Sequence, residues 1–504
     1  MAPLGAHLIA SFDSSAKAQH TCGMEDQPPP AGITTAEWAA TPPTVRQFIA
    51  AMLTVIAQQH QQLAQLQAKV TDLDIRLKQH SRNSSKPPSS DPPSAPPRPA
   101  RTPRGRTKGA QPGHPRAERP DPDPAQIDTV RDHHPPLCPH CHDALPSSLH
   151  DVCALRTQYV WELPVVRPHI TAHHYHTVCC PGCGELVTAA RPPDVPAGSF
   201  GPRTAATVAL LHGRYRLSDR EIGQLLADLY GLPISLGSLV DLQQTVSAAL
   251  APIYSAIQTT LQQQPQVNMD ETGWKEAGKR RWLWVAVSAI ATLFHVATSR
   301  SGKVISTLIG AAFGGIVTSD RLKAYRALPL DRRQLCWAHL IRNLLALAER
   351  DGALGAWAAD LLAQIEVLFA VWHAFRAGRI DREALAAYVQ PLQVTMRALL
   401  EQGQRRYDQA QGLSDELVRL WPALWTFVSV EGVEPTNNAA EQALRPAVLW
   451  RKGCFGAQSA AGNTFVERML TVAATCRQQE RHLLTFLTEA VTAHWQDQPA
   501  PRLV

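Results

Sequence analysis

Between Arg82 and Arg119 the chain reads RNSSKPPSSDPPSAPPRPARTPRGRTKGAQPGHPRAER, a composition that cannot enclose a hydrophobic interior. Proline fixes φ and removes backbone donors, while serine and arginine bring little apolar area, so extended chain is expected over 82–130. The 504 residues must then fold as separate parts on either side of it. Length demands the same, since one core organises roughly 100–200 residues. The segment also holds nine Lys and Arg against Asp91 and Glu118, a local +7 in a chain whose total is +6. Arg101, Arg104, Arg106 and Lys108 are therefore candidates to neutralise phosphates on DNA, a salt-sensitive attraction that reads no sequence. The alternative is a solubilising linker.

Residues 1–44 lack periodicity and are expected to be disordered, with no basic and apolar pattern of a secretory leader. The longest apolar run noted, near Thr204–His212, is too short for a bilayer, so no membrane association is expected and a cytoplasmic, nucleoid-associated location follows. Over 45–81 the apolar positions step by three and four: Ile49, Met52, Ile56, Leu63, Leu66, Val70, Leu73 and Leu77, with Gln59 in the one polar slot. This is a coiled-coil seam, predicting a homodimer or higher oligomer; a helix packed on its own domain is the alternative.

Over 131–195 two tight turns, CPHC (Cys138, Cys141) and CPGC (Cys180, Cys183), each offer two thiolates. Two such turns can close a tetrahedral, structural Zn²⁺ site, with strands expected at Thr157–Leu163 and His169–Val178 between them. Cys179 has the wrong spacing to Cys183 for this. Residues 200–262 are predicted helical. Ser218 caps one helix, Gly231 ends it and Ser235 caps the next, a helix-turn-helix-like spacing that fits a DNA-reading unit and a structural hairpin equally well.

After Pro265 the periodicity changes to strands: Val267–Met269, Trp282–Ser288, Thr292–Thr298, a helix near Lys303–Phe313, a strand Gly315–Ser319, a short helix and a strand Gln334–Trp337. Asp270 and Asp320, 50 residues apart, each follow a strand. Adjacent strands would bring the two carboxylates together, and phosphodiester transfer uses acids placed in this way to hold two Mg²⁺ about 3.5–4 Å apart. A third acid can come from a helix packed on the sheet. In NNAAEQALRP, Asn437 or Asn438 can cap the helix and Glu441 stands one turn in, with Arg445 at i+4; Arg445, Arg451 and Lys452 are candidate phosphate contacts. Singly, each acid also reads as a turn residue or surface pair.

The blocks MDETGW (269–274), TSDRLKAYR (318–326), CWAHLIRN (336–343), NNAAEQALRP and RKGCFGA (437–457), with SRNSSKPPSSD and QPGH upstream, resemble the signature segments of insertion sequence 66 family transposases. The resemblance runs in order from about Ile49 to beyond Glu467. It implies a multidomain α+β protein. A coiled coil, a zinc ribbon-like domain and a helix-turn-helix-like region would precede a ribonuclease-H-like catalytic core (265–340 and 433–490), interrupted by a helical insertion (341–432) and followed by a tail (491–504). It further implies a DDE triad of Asp270, Asp320 and Glu441 holding two Mg²⁺ or Mn²⁺, which cleaves element ends and transfers the freed 3′-hydroxyl to target DNA, with small accessory proteins from the same element. The insertion's Leu344, Leu347, Trp357, Leu361, Leu362, Ile365, Phe369, Trp372 and Phe375 have helical spacing and are expected in a core. Cys336 and His339 form a CxxH pair given a structural or orienting role. The chain departs from the family pattern at Gly273 (commonly Pro), Arg321 (commonly Gly) and Gln442 (commonly Arg). A nuclease of the same fold and a DNA-binding regulator without catalysis are the rival readings; neither explains the full order of segments together with three retained acids.

Overall fold

The computed structural model describes residues 29–30, 32–77, 79–80, 121–145 and 157–504. Arg101, Arg104, Arg106 and Lys108 of the basic segment lie outside the described residues. The chain divides into two units, Met1–Gln79 and His80–Val504.

In the first unit, α1 (Thr35–Ala40) is started by a capping box between Thr34 and Glu37, so the stretch expected to be structureless to residue 44 contains a helix. Helix α2 (Pro43–Leu77) begins on a proline, whose missing N–H costs nothing at that position. Along its 35 residues Met52, Ile56, Leu63, Leu66, Val70, Leu73 and Leu77 stay 42–75% exposed.

The second unit opens with the two cysteine turns. Leu137 and Ala144 bridge across the first; β1 (Thr177–Cys179) and β2 (Leu186–Thr188) pair antiparallel across the second. The expected strand at 157–163 does not form, and of 169–178 only Thr177 and Val178 are in a strand. Val160, Leu163 and Ile170 are at least 80% exposed, so the alternating pattern there has no second layer to pack on.

Four helices follow: α3 (Pro202–Gly213), α4 (Asp219–Tyr230), α5 (Leu236–Ala249) and α6 (Ala251–Gln262). Ser218 and Ser235 cap α4 and α5, and Gly231 ends α4 in the left-handed region at φ 63°. Helix α5 buries Leu239, Leu242 and Val246, carries Asp241 and contains no Lys or Arg.

A five-stranded sheet forms from β3 (Gln266–Glu276), β4 (Lys279–Val287), β5 (Thr292–Ala297), β6 (Ile316–Ser319) and β7 (Arg333–Leu335), in the order β5-β4-β3-β6-β7. β3, β4 and β5 are antiparallel neighbours, while β6 and β7 run parallel to β3. Helix α7 (Gly302–Ile309) stops before the expected Phe313, because Gly310 takes φ 84° there. A 3₁₀ segment, Lys323–Ala327, replaces the short helix before β7.

The insertion comprises α8 (Trp337–Ala348), α9 (Ala353–Arg376), α10 (Arg382–Arg406), α11 (Asp408–Arg419) and the single turn α12 (Thr426–Ser429). It has its own core, built on Trp337, Leu344, Trp357, Leu361, Ile365, Trp372, Leu400 and Phe427, with Leu362, Phe369 and Phe375 packed against it. By length and composition α9 is apolar enough to cross a membrane, a longer apolar stretch than that near Thr204–His212. Its apolar residues are spread around the helix, and the side bearing Trp357, Leu361, Ile365, Leu368 and Trp372 is buried.

The chain returns through α13 (Asn438–Cys454), α14 (Ala460–Gln478) and α15 (Leu483–Trp495). α13 lies on β3 and β4, burying Ala440, Ala443, Leu444, Ala447 and Trp450. α14 covers the outer edge of β5: the backbone N–H groups of Thr292, Phe294 and Val296 donate to Thr475 Oγ1, Thr471 Oγ1 and Glu467 Oε1 at 3.1, 2.9 and 2.6 Å. Helical i,i+4 steps thus match every second residue of a strand, and the edge is closed.

Candidate active site

Parallel pairing between β3 and β6 aligns Asn268 with Thr318 as its last pair. Two residues further along are Asp270, still in β3, and Asp320, just past the end of β6, so sheet register brings the two residues to one level. Asp270 is not past the end of its strand as the sequence suggested. β3 runs on to Glu276, held by β4, and only the pairing with β6 ends. Asp270 Oδ1 accepts the Glu271 N–H at 2.9 Å, and Asp320 Oδ1 accepts the Leu322 N–H at 2.9 Å.

Helix α13 brings the third acid. Asn437 stands at its N-cap but makes no side-chain cap bond, contrary to expectation. Its fully buried side chain instead donates Nδ2 to the Met269 carbonyl at 2.7 Å and accepts the Asn268 amide at 3.1 Å. Bonding to β3 here satisfies buried backbone and fixes the helix start beside Asp270. Asn438 begins the helix. Glu441 follows one turn later. It faces Arg342 NH2 at 3.3 Å and His339 Nδ1 at 3.6 Å rather than the expected Arg445, which is exposed.

The electrostatics join the acids. Burial, then the charges of Glu271, Asp320 and Glu441, hold the Asp270 carboxyl well above its ordinary range. Repulsion of this kind at Asp270 is what a divalent metal would relieve. The oxygens of the triad are not all within direct chelating distance. Among the described residues one group of three or more donors is that close, Cys336, His339 and Glu441, with ligand atoms within 4.8 Å of one another.

Glu271 was missed from the sequence. Its side chain is 1% exposed and paired with Arg300, whose guanidinium stacks 4.4 Å from the Trp282 ring. Burial and then Asp320 push its carboxyl up to about 7. The period-2 alternation of MDETGW places it on the face opposite Asp270, a signal available to sequence reasoning. Arg342, one turn after His339 in CWAHLIRN, was missed likewise.

The departures find partners. Gly273 presents its carbonyl to Arg451 NH1, which also donates to Thr272 Oγ1 at 2.9 Å, so Arg451 clamps α13 to β3. Arg321 donates to Glu416 and Asn343 at 2.7 Å each, tying the strand end of Asp320 to the insertion. Gln442, Arg445 and Lys452 are exposed. RKGCFGA ends α13 with Phe455 at φ 58°, and Gly456 lets the chain approach Lys275 so closely that a Cβ would lie 2.2 Å from its carbonyl. Ala457 then exchanges backbone bonds with Lys275 and Ala277.

Burial first, and then Arg342, lower the His339 imidazole, while burial raises the Cys336 thiol, whose Sγ accepts the Asn437 N–H at 3.2 Å. In the cysteine turns, the N–H groups of Cys141 and His140 lower the Cys138 thiol, and those of Cys183 and Gly182 lower Cys180. Each turn has the donors of a metal knuckle. The structure does not gather the four sulfurs into one ligand group, since the two hairpins lack a shared core: Val178, Leu186 and Val187 are 55–73% exposed.

Comparison with known proteins agrees with this arrangement. The family model described as Transposase IS66 family matches residues 197–464, over half of the chain, and a family of unknown function matches residues 40–120. The uncharacterized protein y4hP of Sinorhizobium fredii (strain NBRC 101917 / NGR234) is 24% identical over 346 residues, covering 61% of this chain and 62% of that relative, less than two thirds of its length. A match that spans the sheet, the insertion and the Glu441 helix places the chain in the IS66 family of transposases.

Proposed function

We propose that this protein is a DNA transposase of the DDE type, acting in the cytoplasm on the ends of an insertion sequence, with Asp270, Asp320 and Glu441 as its catalytic residues. The observation that carries it is the shared level of Asp270 and Asp320 on parallel neighbours, with Glu441 close enough to act on the Asp270 carboxyl. The sheet order, three antiparallel strands followed by two parallel ones, supports a ribonuclease-H-like core. Two divalent cations, Mg²⁺ or Mn²⁺, would supply an activated oxygen nucleophile and a stabilised leaving oxygen. Asp270 and Asp320, each accepting a backbone N–H, would hold such ions, and Glu441 would complete the set and orient the water or 3′-hydroxyl. Arg445 and Lys452, exposed on α13, would meet DNA phosphates, as would Arg101, Arg104, Arg106 and Lys108.

The cysteine turns would close on one structural Zn²⁺ through Cys138, Cys141, Cys180 and Cys183, and the exposed seam of α2 would pair with a second copy of the chain. Labelled DNA carrying the flanking ends, incubated with the full chain and Mg²⁺, tests the central reading. Strand breaks by the wild type and none by Asp270→Asn or Glu441→Gln are expected; equal cutting by the variants overturns it.

A further inference from the structure

A second donor set sits against the triad. Cys336 caps α8 and His339 lies one turn along, so both reach the same side, where the start of α13 brings Glu441. The three ligand atoms lie within 4.8 Å of one another, and His339 Nδ1 to Glu441 Oε1 is 3.6 Å. Two ligands about 2.0–2.2 Å from one tetrahedral ion stand roughly 3.4 Å apart, so little movement is needed. Thiolate, imidazole and carboxylate are a zinc donor set and a poor one for Mg²⁺, which prefers oxygen alone. His339 Nδ1 is buried with no hydrogen-bond partner, an orphan that a ligand would satisfy. Cys336 Sγ accepts the Asn437 N–H, as metal-bound sulfurs do. Arg342 and Arg321 face the cluster and oppose a cation, while Asp320 favours it; Arg342 is partly exposed and can turn to solvent.

We propose that Cys336, His339 and Glu441 form a Zn²⁺ site, open at its fourth position, that competes with the catalytic centre for Glu441, so that zinc holds the enzyme inactive. The inference rests on the catalytic reading only in its effect on cleavage; binding stands apart from it. The test uses the full chain with Cys138, Cys141, Cys180 and Cys183, all exposed or half-exposed, changed to Ser. Co²⁺ serves as a coloured stand-in for zinc. One equivalent with a thiolate charge-transfer band is expected. Cys336→Ser should abolish that band, and His339→Ala should weaken binding at least about tenfold. A spectrum unchanged by Cys336→Ser, or no binding, overturns the site. Should the four-serine chain fail to fold, bound zinc is counted in the otherwise native chain, where Cys336→Ser must lower it by one equivalent. In Mg²⁺ cleavage assays, one equivalent of Zn²⁺ should slow the four-serine protein at least about tenfold and its Cys336→Ser derivative far less. Equal inhibition overturns the competition. Absence of any cleavage without zinc speaks against the catalytic reading and leaves the Co²⁺ result to judge the site.

Discussion

Asp270 and Asp320 are positioned by a sheet, Glu441 by a helix, and the two regions hold their acids by different means. On the sheet the main chain does the work: pairing of β3 with β4 and β6 fixes both aspartates, and each carboxylate takes a backbone N–H. On α13 it is side chains that register the helix, through Asn437 at its start and Arg451 near its end. Backbone ladders are many and mutually supporting, whereas two side-chain clamps can be removed singly. The third acid is therefore the one whose placement a substitution far from the chemistry can disturb.

The largest effect should come from the acids themselves. Asp270→Asn and Glu441→Gln should each lower strand cleavage by on the order of 10³-fold, the several kcal/mol that metal-held charge contributes. If Glu441→Gln costs nothing while Asp270→Asn abolishes cutting, the helix acid is not part of the centre. Next is Asn437→Ala, which strips partners from Asn268 and the Met269 carbonyl. It should destabilise by about 2 kcal/mol in urea melts and slow cleavage by roughly 10²-fold through misplacement of Glu441. Unchanged cleavage with the stability loss intact would show that the helix start does not set the acid.

On the sheet side, Glu271→Gln tests a buried charge. The unfolded chain gives up this proton near an ordinary 4.5, the folded protein near 7, so the folded state loses stability as pH rises between them and the cost is complete above 7. Without metal, the Gln variant should be more stable by about 3 kcal/mol at pH 8 and equal to the wild type at pH 4. A constant difference across pH would contradict the ionisation. Smallest is Arg451→Met, expected to cost about 1 kcal/mol in stability and to leave the salt dependence of DNA binding alone. Arg445→Ala should reduce that salt slope by about one. A slope change for Arg451→Met would return this residue to the DNA surface.

Much of the fold is legible because it follows local rules: the helix α2, the serine caps of α4 and α5, and the helical spacing of the insertion each come from periodicity or cap chemistry. The strands near residue 160 did not materialise, because β-rich patterning needs a partner layer that sequence cannot supply. Asp320 follows its strand as the apolar run indicates, whereas Asp270 lies inside a strand that runs on to Glu276, well past its apolar run. The clamp roles of Asn437 and Arg451 and the pairing of Arg321 with Glu416 join residues 95 or more positions apart, and no local pattern encodes them.

The insertion leaves the catalytic region at Cys336 and Trp337 and comes back at Pro435 and Asn437. There the Trp337 N–H meets the Pro435 carbonyl at 2.9 Å, and the Asn437 N–H meets Cys336 Sγ at 3.2 Å. The excursion is a long loop whose mouth is already stitched shut. Closing a loop costs only about 0.6 kcal/mol more for each doubling of its length, so its size bears weakly on the stability of the whole. Helices α9 and α10 can be lengthened, trimmed or exchanged beyond this stitch, provided that α8 keeps His339, Arg342 and Asn343 beside the acids and α11 keeps Glu416 for Arg321.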